Sequence, residues 1–332
     1  MRFVIYGAGA IGGAIGGRLF EAGHDVTLIA RGAHEQALRV HGLRLASPAG
    51  VATLSIPVVN HPAEADLRPG DVVVLAMKSH DTAAAVATLA DCAPPDIAVV
   101  CAQNGVENER MALRWFPDVY AVNVVCPASH LEPGVVAAHS APVTGILDLG
   151  RYPSGVDDTA RALATALQGA TFSSEAVPDI MRWKYRKLIV NLGNAVDAVC
   201  GALGPSGRFD MSDEGVAELL RRVQAEGEAC LAAAGIDVAS REEDAERRGN
   251  LLSPQPVDGA EQTRSSSWQS LARGTGTVES DYLNGEIVLL GRLHGVPTPV
   301  NDLLRRLARS MAAEGREPGS MAPHEVLAQL GG

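Results

Sequence analysis

The chain changes its hydrophobic rhythm once. In the first half, short apolar runs alternate with longer stretches of helical periodicity, the pattern of strands and helices in a parallel, doubly wound sheet. Strands are expected over Arg2–Tyr6, Asp25–Ala30, Asp71–Met77 and Ile97–Ala102, with a helix over Ala10–Glu21. Leu43–Leu45 and Val51–Val59 read as a short hairpin inserted after the second helix. Val119–Val125, Gly134–Ala138 and Pro142–Leu149 have strand character with turn residues between them, and are expected to close the first domain as antiparallel strands. A helix over Asp157–Leu167 and a short strand over Ala170–Phe172 follow. After Pro178 strand character nearly vanishes. Helices are expected over Asp179–Cys200, Ser212–Ala234, Ser240–Gly249, Ser265–Arg273, Val278–His294 and Val300–Ala313, with a polar loop over Leu252–Gln262. The pattern predicts an α/β domain over 1–176 and an all-helical domain over 177–332.

The first strand ends in Gly7-Ala8-Gly9-Ala10-Ile11-Gly12. A G-x-G-x-x-G run that closes a strand and opens a helix is the fingerprint of a Rossmann dinucleotide site; without that context it is a plain glycine turn. Gly7 makes the turn, Gly9 admits a pyrophosphate to the backbone, and Gly12 lets helix and strand pack closely. The helix N-terminus offers N–H groups and a positive dipole end to the phosphates. The second strand ends at Arg31, and no acid follows until Glu35. A carboxylate there would hold a ribose hydroxyl and repel a 2′-phosphate, whereas an arginine can hold that phosphate. The cofactor expected is therefore NADPH, against the plainer reading of Arg31 as a surface arginine. Lys78 follows the third strand at the same edge of the sheet, either against a phosphate or the nicotinamide, or simply in solvent. The fourth strand leads to Gln103-Asn104-Gly105 at that edge.

Composition narrows the class. The 332 residues suffice for two domains, and 46% hydrophobic with 20% charged residues is globular. A net charge of −11 argues against nucleic acid or an anionic membrane as partner. A phosphate site must then be a local positive island, for which Arg31 and Lys78 are the candidates. Cys92, Cys101, Cys126, Cys200 and Cys230 form no C-x-x-C pair, so neither a zinc site nor a disulfide framework is expected, and Cys101 and Cys126 read as buried small hydrophobes. Met1 runs directly into the first strand, so no leader peptide is expected; with no apolar run of membrane-spanning length, the chain reads as cytoplasmic.

The second half carries Trp183-Lys-Tyr-Arg-Lys187-Leu-Ile-Val-Asn191-Leu-Gly-Asn194. On a helix advancing about 100° per residue, Trp183, Lys187, Asn191 and Asn194 share one face. A lysine and two amides on the inward side of an apolar helix are costly unless something uses them; the alternative is a structural hydrogen-bond cluster. Lys184 and Arg186, on other faces, read as solvated. Glu279 opens a helical stretch, where a carboxylate is ordinary capping electrostatics. The hydroxyls of Ser265, Ser266 and Ser267 precede another, where they can cap the helix or hold a substrate carboxylate.

Together, Gly7 to Gly12, Arg31, Lys78, Asn104-Gly105, Lys187-x-x-x-Asn191, Ser266-Ser267 and Glu279-Ser-Asp-Tyr-Leu-Asn-Gly285 resemble the ketopantoate reductase family, in that family's order and over nearly the whole chain. The resemblance implies a Rossmann domain followed by a helical domain, and NADPH-dependent reduction of the C2 ketone of a 2-oxoacid, foremost 2-dehydropantoate. It implies Lys187 as general acid, with Glu279 orienting it or a substrate hydroxyl. It places Asn104 by nicotinamide and substrate, Asn191 and Asn194 on the substrate, and Ser267 at its carboxylate. A homodimer is an assembly it allows. Three positions depart from the family: Ala195 replaces a second asparagine, Tyr185 stands where a tryptophan is usual, and Leu271 replaces an aspartate. These leave open another branched 2-oxo or 3-hydroxy acid as substrate. An NADPH-binding sensor without turnover is the rival from a different class.

Overall fold

The computed structural model describes residues 1–204, 207–257 and 264–331, which form two compact units. The first comprises Met1–Lys184 and Arg241–Glu261, the second Tyr185–Ser240 and Gln262–Gly332. The sequence pattern places the division at 176/177. In the structure the chain leaves the first unit eight residues later and returns to it at Arg241.

An eight-stranded sheet organises the first unit. From edge to edge it runs Phe172–Ser173, Gly145–Arg151, Val119–Val125, Ala98–Cys101, Val72–Leu75, Arg2–Tyr6, Asp25–Ile29 and Val58–Val59. The six strands from Val119–Val125 to Val58–Val59 are mutually parallel, and Gly145–Arg151 turns antiparallel onto Val119–Val125. The near-continuous apolar strands are buried on both faces, as a parallel sheet covered by helices requires. Phe3, Ile5, Val74 and Val100 enter one apolar core, and Val4, Val73, Val99 and Cys101 enter the other.

Several expectations are corrected here. The hairpin is Leu43–Ser47 against Gly50–Leu54, while Val58–Val59 leaves it to pair parallel with the second strand. Val135–Ala138 does not close the main sheet. It forms a second, four-stranded sheet, parallel to Leu43–Ser47 and antiparallel to Ala128–Ser129. Leu252–Pro254, expected as loop, pairs antiparallel with Ser140–Pro142; the part of that stretch from 258 onward lies outside the described residues. Cys101 is buried, whereas Cys126 is half-buried with its thiol directed at the Thr144 carbonyl.

The helix Arg241–Arg248 belongs with the sheet because of charge, since it buries no side chain of its own. Arg247 donates twice to the buried Asp148 carboxylate, at 2.8 and 2.6 Å, and again to Ser173 at 3.0 Å. Arg182 reaches both oxygens of Glu243, at 3.2 and 3.3 Å. Burial pushes the Asp148 carboxyl up, and the Arg247 guanidinium pulls it back.

The second unit is helical. Its helices are the later turns of Ile180–Asn191, then Gly193–Cys200, Glu214–Ala233, Ser266–Ala272, Asn284–His294, Pro299–Glu314 and Pro323–Ala328, the last of which the pattern did not suggest. The expected helix Asp179–Cys200 is interrupted at Leu192. The backbone there keeps right-handed helical angles (φ −58°, ψ −30°), so the break is mild. A buried polar chain ties these helices together. Asn284 donates to the Leu192 carbonyl (3.2 Å) and to Asn301 (3.0 Å). Asn301 in turn donates through its side chain to Glu226 (2.8 Å) and to the Val223 carbonyl (3.0 Å).

Removing one member of a buried charge pair leaves the other without compensation. Asp148→Ala is therefore expected to destabilise the protein by about 3–5 kcal/mol. Denaturant unfolding followed by circular dichroism measures it; a loss below about 1 kcal/mol, the size of an exposed pair, would show that Arg247 finds solvent instead.

Candidate active site

In the first unit the glycine turn has the form its spacing predicts. Gly7 sits at φ +102°, a left-handed value that a side chain would strain, and a Cβ there would lie 2.7 Å from the Met77 nitrogen. A Cβ on Gly12 would collide with the Gly7 carbonyl oxygen. Gly9 differs: a Cβ there meets nothing within 4 Å, so the turn is open where a phosphate would approach. Ala10, Ile11 and Gly12 form the first turn of the helix Ala10–Glu21, whose N–H groups lack intrahelical acceptors. No side chain caps that helix end, and no acidic residue stands in its first turn. The Ala8 carbonyl is held by His34 Nε2 at 2.8 Å. An open, uncapped, acid-free helix N-terminus fits the pyrophosphate of a dinucleotide.

Arg31 is the extended residue that starts the helix Gly32–His41. Its guanidinium is largely exposed, 3.4 Å from the Asp81 carboxylate. Glu35, the first acid after it, is buried against Arg39. Burial pushes the Tyr6 phenol up, and the Arg31 charge opposes it, so the cation acts at the end of the first strand. Lys78 starts the helix Ser79–Ala90 and is half-buried. Beside it lies the Gln103-Asn104-Gly105 turn, with Gly105 at φ +80°. The two turns share a buried hydrogen-bond lattice. Gln103 donates to the Met77 carbonyl (2.9 Å) and to Thr82 (2.8 Å), and Thr82 donates to Asn108 (2.8 Å). Asn108 in turn donates to Ser79 (3.2 Å) and to the Asn104 carbonyl (2.9 Å).

Sequence reasoning missed the group at the centre of this edge. Lys184, expected to be solvated, is sealed from water against Glu109, with side-chain exposures of 2% and 0% and 2.7 Å between the charges. Its ammonium also donates to the carbonyls of Gln103 (2.9 Å) and Val122 (3.2 Å). Nothing in its own helix, which also carries Arg182, Arg186 and Lys187, marks this lysine out. Its partner lies on the distant helix Asn108–Leu113, which the pattern did not suggest.

In the second unit Lys187 is half-buried and Asn191 is buried as the last residue of its helix. Asn194 lies beyond the Leu192 break, and its amide reaches the Ser266 hydroxyl at 3.4 Å. Ala195 and Leu271, two of the three departures named above, are both buried apolar side chains. Arg186, also expected to be solvated, is buried and donates to the Ala239 carbonyl at 2.6 Å. Of the three serines, Ser265 caps its helix by accepting from Trp268 N–H (3.2 Å), while the buried Ser267 hydroxyl has no hydrogen-bond partner among the described residues. Glu279 is buried at the start of a short 3-10 turn, Glu279–Asp281. Burial lowers the pKa of the Arg273 guanidinium and the Glu279 carboxylate opposes this, which sets a cation in the field of that acid. Among the described residues no group of acidic, His and Cys side chains could hold a metal ion, and no helix is long and apolar enough to cross a membrane.

Comparison with known proteins agrees with this architecture. The family model for ketopantoate reductase PanE/ApbA matches residues 3–154, and that for the C-terminal region of the same family matches 179–312. A 2-dehydropantoate 2-reductase of Pyrococcus horikoshii is 28% identical over 95% of this chain and 99% of its own. One of Mycobacterium tuberculosis H37Rv is 30% identical over 95% and 98%. The crystal structure of a PanE/ApbA family ketopantoate reductase from Ralstonia eutropha JMP134 superimposes with a TM-score of 0.79 at 31% identity, covering 95% of this chain and 99% of that one. The ternary structure of D-mandelate dehydrogenase with NADH and anilino(oxo)acetate shares the fold at 23% identity, with a TM-score of 0.78 and 95% and 99% coverage. The chain belongs to the ketopantoate reductase PanE/ApbA family and is an oxidoreductase acting on CH–OH groups with a nicotinamide cofactor.

Proposed function

We propose that the protein reduces the C2 ketone of a 2-oxoacid with NADPH, and that 2-dehydropantoate is the substrate, giving pantoate. The observation that carries this reading is the retention of Lys187, Asn191, Ser267 and Glu279 in a chain that matches named 2-dehydropantoate 2-reductases over nearly its full length. Gly7 to Gly12 with the helix they open would hold the pyrophosphate, and Arg31 the 2′-phosphate. Lys78 and Asn104 would sit toward the nicotinamide, with Asn104 also meeting the substrate. The bound cofactor supplies the hydride that adds to C2.

As that C–H bond forms, the carbonyl π pair moves onto oxygen. The Lys187 ammonium lowers the barrier by facing the developing alkoxide and giving it a proton, which leaves a 2-hydroxy acid and a neutral amine that solvent reprotonates. Glu279 orients that ammonium or a substrate hydroxyl. Asn191 and Asn194 bind the substrate's hydroxyl end. Ser267 donates its unused hydroxyl to the substrate carboxylate, an interaction that removes the cost of leaving it unpaired.

A second reading keeps this chemistry on a different branched 2-oxo or 3-hydroxy acid. Ala195 and Leu271 favour it, because both are buried apolar side chains where the family carries polar ones. A sensor that binds NADPH without turnover has no use for a Lys187–Glu279 pair, and both residues are present.

NADPH oxidation followed by absorbance against 2-dehydropantoate and a panel of 2-oxoacids tests the reading. NADPH-specific turnover of 2-dehydropantoate supports it, and NADPH binding with turnover of another acid moves the substrate to the second reading. Lys187→Ala should lower kcat by roughly 10²-fold or more; near-normal turnover in that variant excludes Lys187 as the acid. Arg31→Ala should weaken NADPH by about tenfold or more while leaving NADH nearly unchanged, as expected for loss of a charge-assisted phosphate contact. Titration of nucleotide fluorescence reads both constants, and equal losses would show that Arg31 does not read the 2′-phosphate.

A further inference from the structure

We propose that Lys184, together with Glu109, is a positioning residue that sets the direction of the Asn104 side chain. This rests on the reading of Asn104 given above. The pair is costly to bury. Two charges have been taken fully out of water, and apolar side chains of similar size would satisfy the same space at least as well. What an apolar pair cannot supply is a set of directed donors. The Lys184 ammonium donates to the Gln103 and Val122 carbonyls and lies 2.7 Å from the Glu109 carboxylate as an ion pair.

The Gln103 carbonyl belongs to the peptide plane that enters Asn104. The carbonyl of Asn104 belongs to the plane that leaves it, and accepts from Asn108 Nδ2 (2.9 Å) and Ser79 Oγ (3.3 Å). A peptide unit is rigid and planar, so clamping the planes on both sides of one Cα fixes its φ and ψ, and with them the direction of its Cα–Cβ bond. Lys184 holds one plane and the Asn108–Ser79 lattice holds the other. The Glu109 carboxylate, 2.7 Å away and equally buried, fixes where the ammonium sits. An amide meant to meet a nicotinamide and a ketone must be held to a fraction of an ångström, and this clamp does so without touching either.

The test is a double variant, Lys184→Met with Glu109→Leu, which removes the charges and keeps the volume. Its melting temperature should stay close to that of the starting protein, and NADPH should bind within about threefold. The turnover number, with whichever 2-oxoacid the protein reduces, should fall tenfold or more. The isotope effect from NADPH deuterated at C4 should rise as hydride transfer becomes limiting. A turnover number within twofold of the unaltered protein, or a loss confined to KM or to NADPH affinity, overturns the proposal. Hydrogen exchange read by mass spectrometry supplies an arm independent of substrate. In the double variant, peptides covering Gln103-Asn104-Gly105 should exchange at least tenfold faster in the free protein, and unchanged protection overturns the clamp even if no substrate is turned over. A protein that reduces no 2-oxoacid, but loses that protection, sinks the functional reading and leaves the clamp standing. Should the double variant not fold, Lys184→Gln with Glu109→Gln takes its place with the same arms, because it leaves no unpaired buried charge and the shorter amide cannot span both carbonyls.

Discussion

Burying a charge is among the most expensive things a protein does, and this one does it where a helix meets one strand's end and the middle of the next. Lys184 and Glu109 are sealed together, and the ammonium spends its remaining donors on backbone carbonyls of Gln103 and Val122. The pair thereby joins the helix Ile180–Asn191 to the turn after the strand Ala98–Cys101 and to the middle of the strand Val119–Val125. Everything the cofactor edge offers nearby depends on that anchoring. The turn after Met77 and the turn after Ala102 are linked through Gln103, Thr82, Asn108 and Ser79, a lattice in which nearly every member is buried. Such a lattice is worth having only if it is filled, since a buried donor or acceptor left alone costs as much as several good contacts return. The same helix continues past Lys184 into the second unit, carrying Lys187 and Asn191 in its remaining turns.

Features imposed by backbone geometry were legible in the chain, and features imposed by distant partners were not. The glycine turn could be read because a left-handed φ at Gly7 and a closed approach at Gly12 exclude side chains, so the constraint is written as glycine. The buried parallel strands could be read because a sheet covered on both faces tolerates only apolar runs. Lys184 could not be read. Nothing within its own helix distinguishes a lysine that finds Glu109 from one that finds water. The same holds for Arg186, whose acceptor is the Ala239 carbonyl, and for Val135–Ala138, whose parallel partner Leu43–Ser47 precedes it by the length of several elements. The return of Arg241–Arg248 to the first unit is a further case. That helix is polar all round and is placed by Arg247 on Asp148, a contact with no local signature.

Within the run Glu279 to Gly285, chemistry and scaffolding can be told apart. Asn284 spends both hydrogens of its amide on holding the helical unit together, on the Leu192 carbonyl and on Asn301. It therefore ties the segment carrying Glu279 to the break that separates Asn191 from Asn194, and is best understood as the residue that spaces those groups. Asp281 pairs with Arg305 at 3.0 Å on the outside of the unit. What remains of the run for chemistry is Glu279, a buried carboxylate beside the half-buried Arg273.

The three consecutive serines differ in how their hydroxyls are satisfied. A hydroxyl near a helix start has an obvious local use, and Ser265 takes it by accepting from the Trp268 N–H. Ser266 accepts from the Asn194 amide, so it serves the neighbouring side chain. Ser267 is as deeply buried as the apolar core around it, and its hydroxyl has no hydrogen-bond partner among the described residues. Folding alone would favour an alanine at that position, since removing an unsatisfied buried hydroxyl costs nothing and recovers its desolvation penalty. A buried serine there is consistent with the substrate-carboxylate role proposed for Ser267, because an acceptor-rich group is the partner that a lone donor best serves.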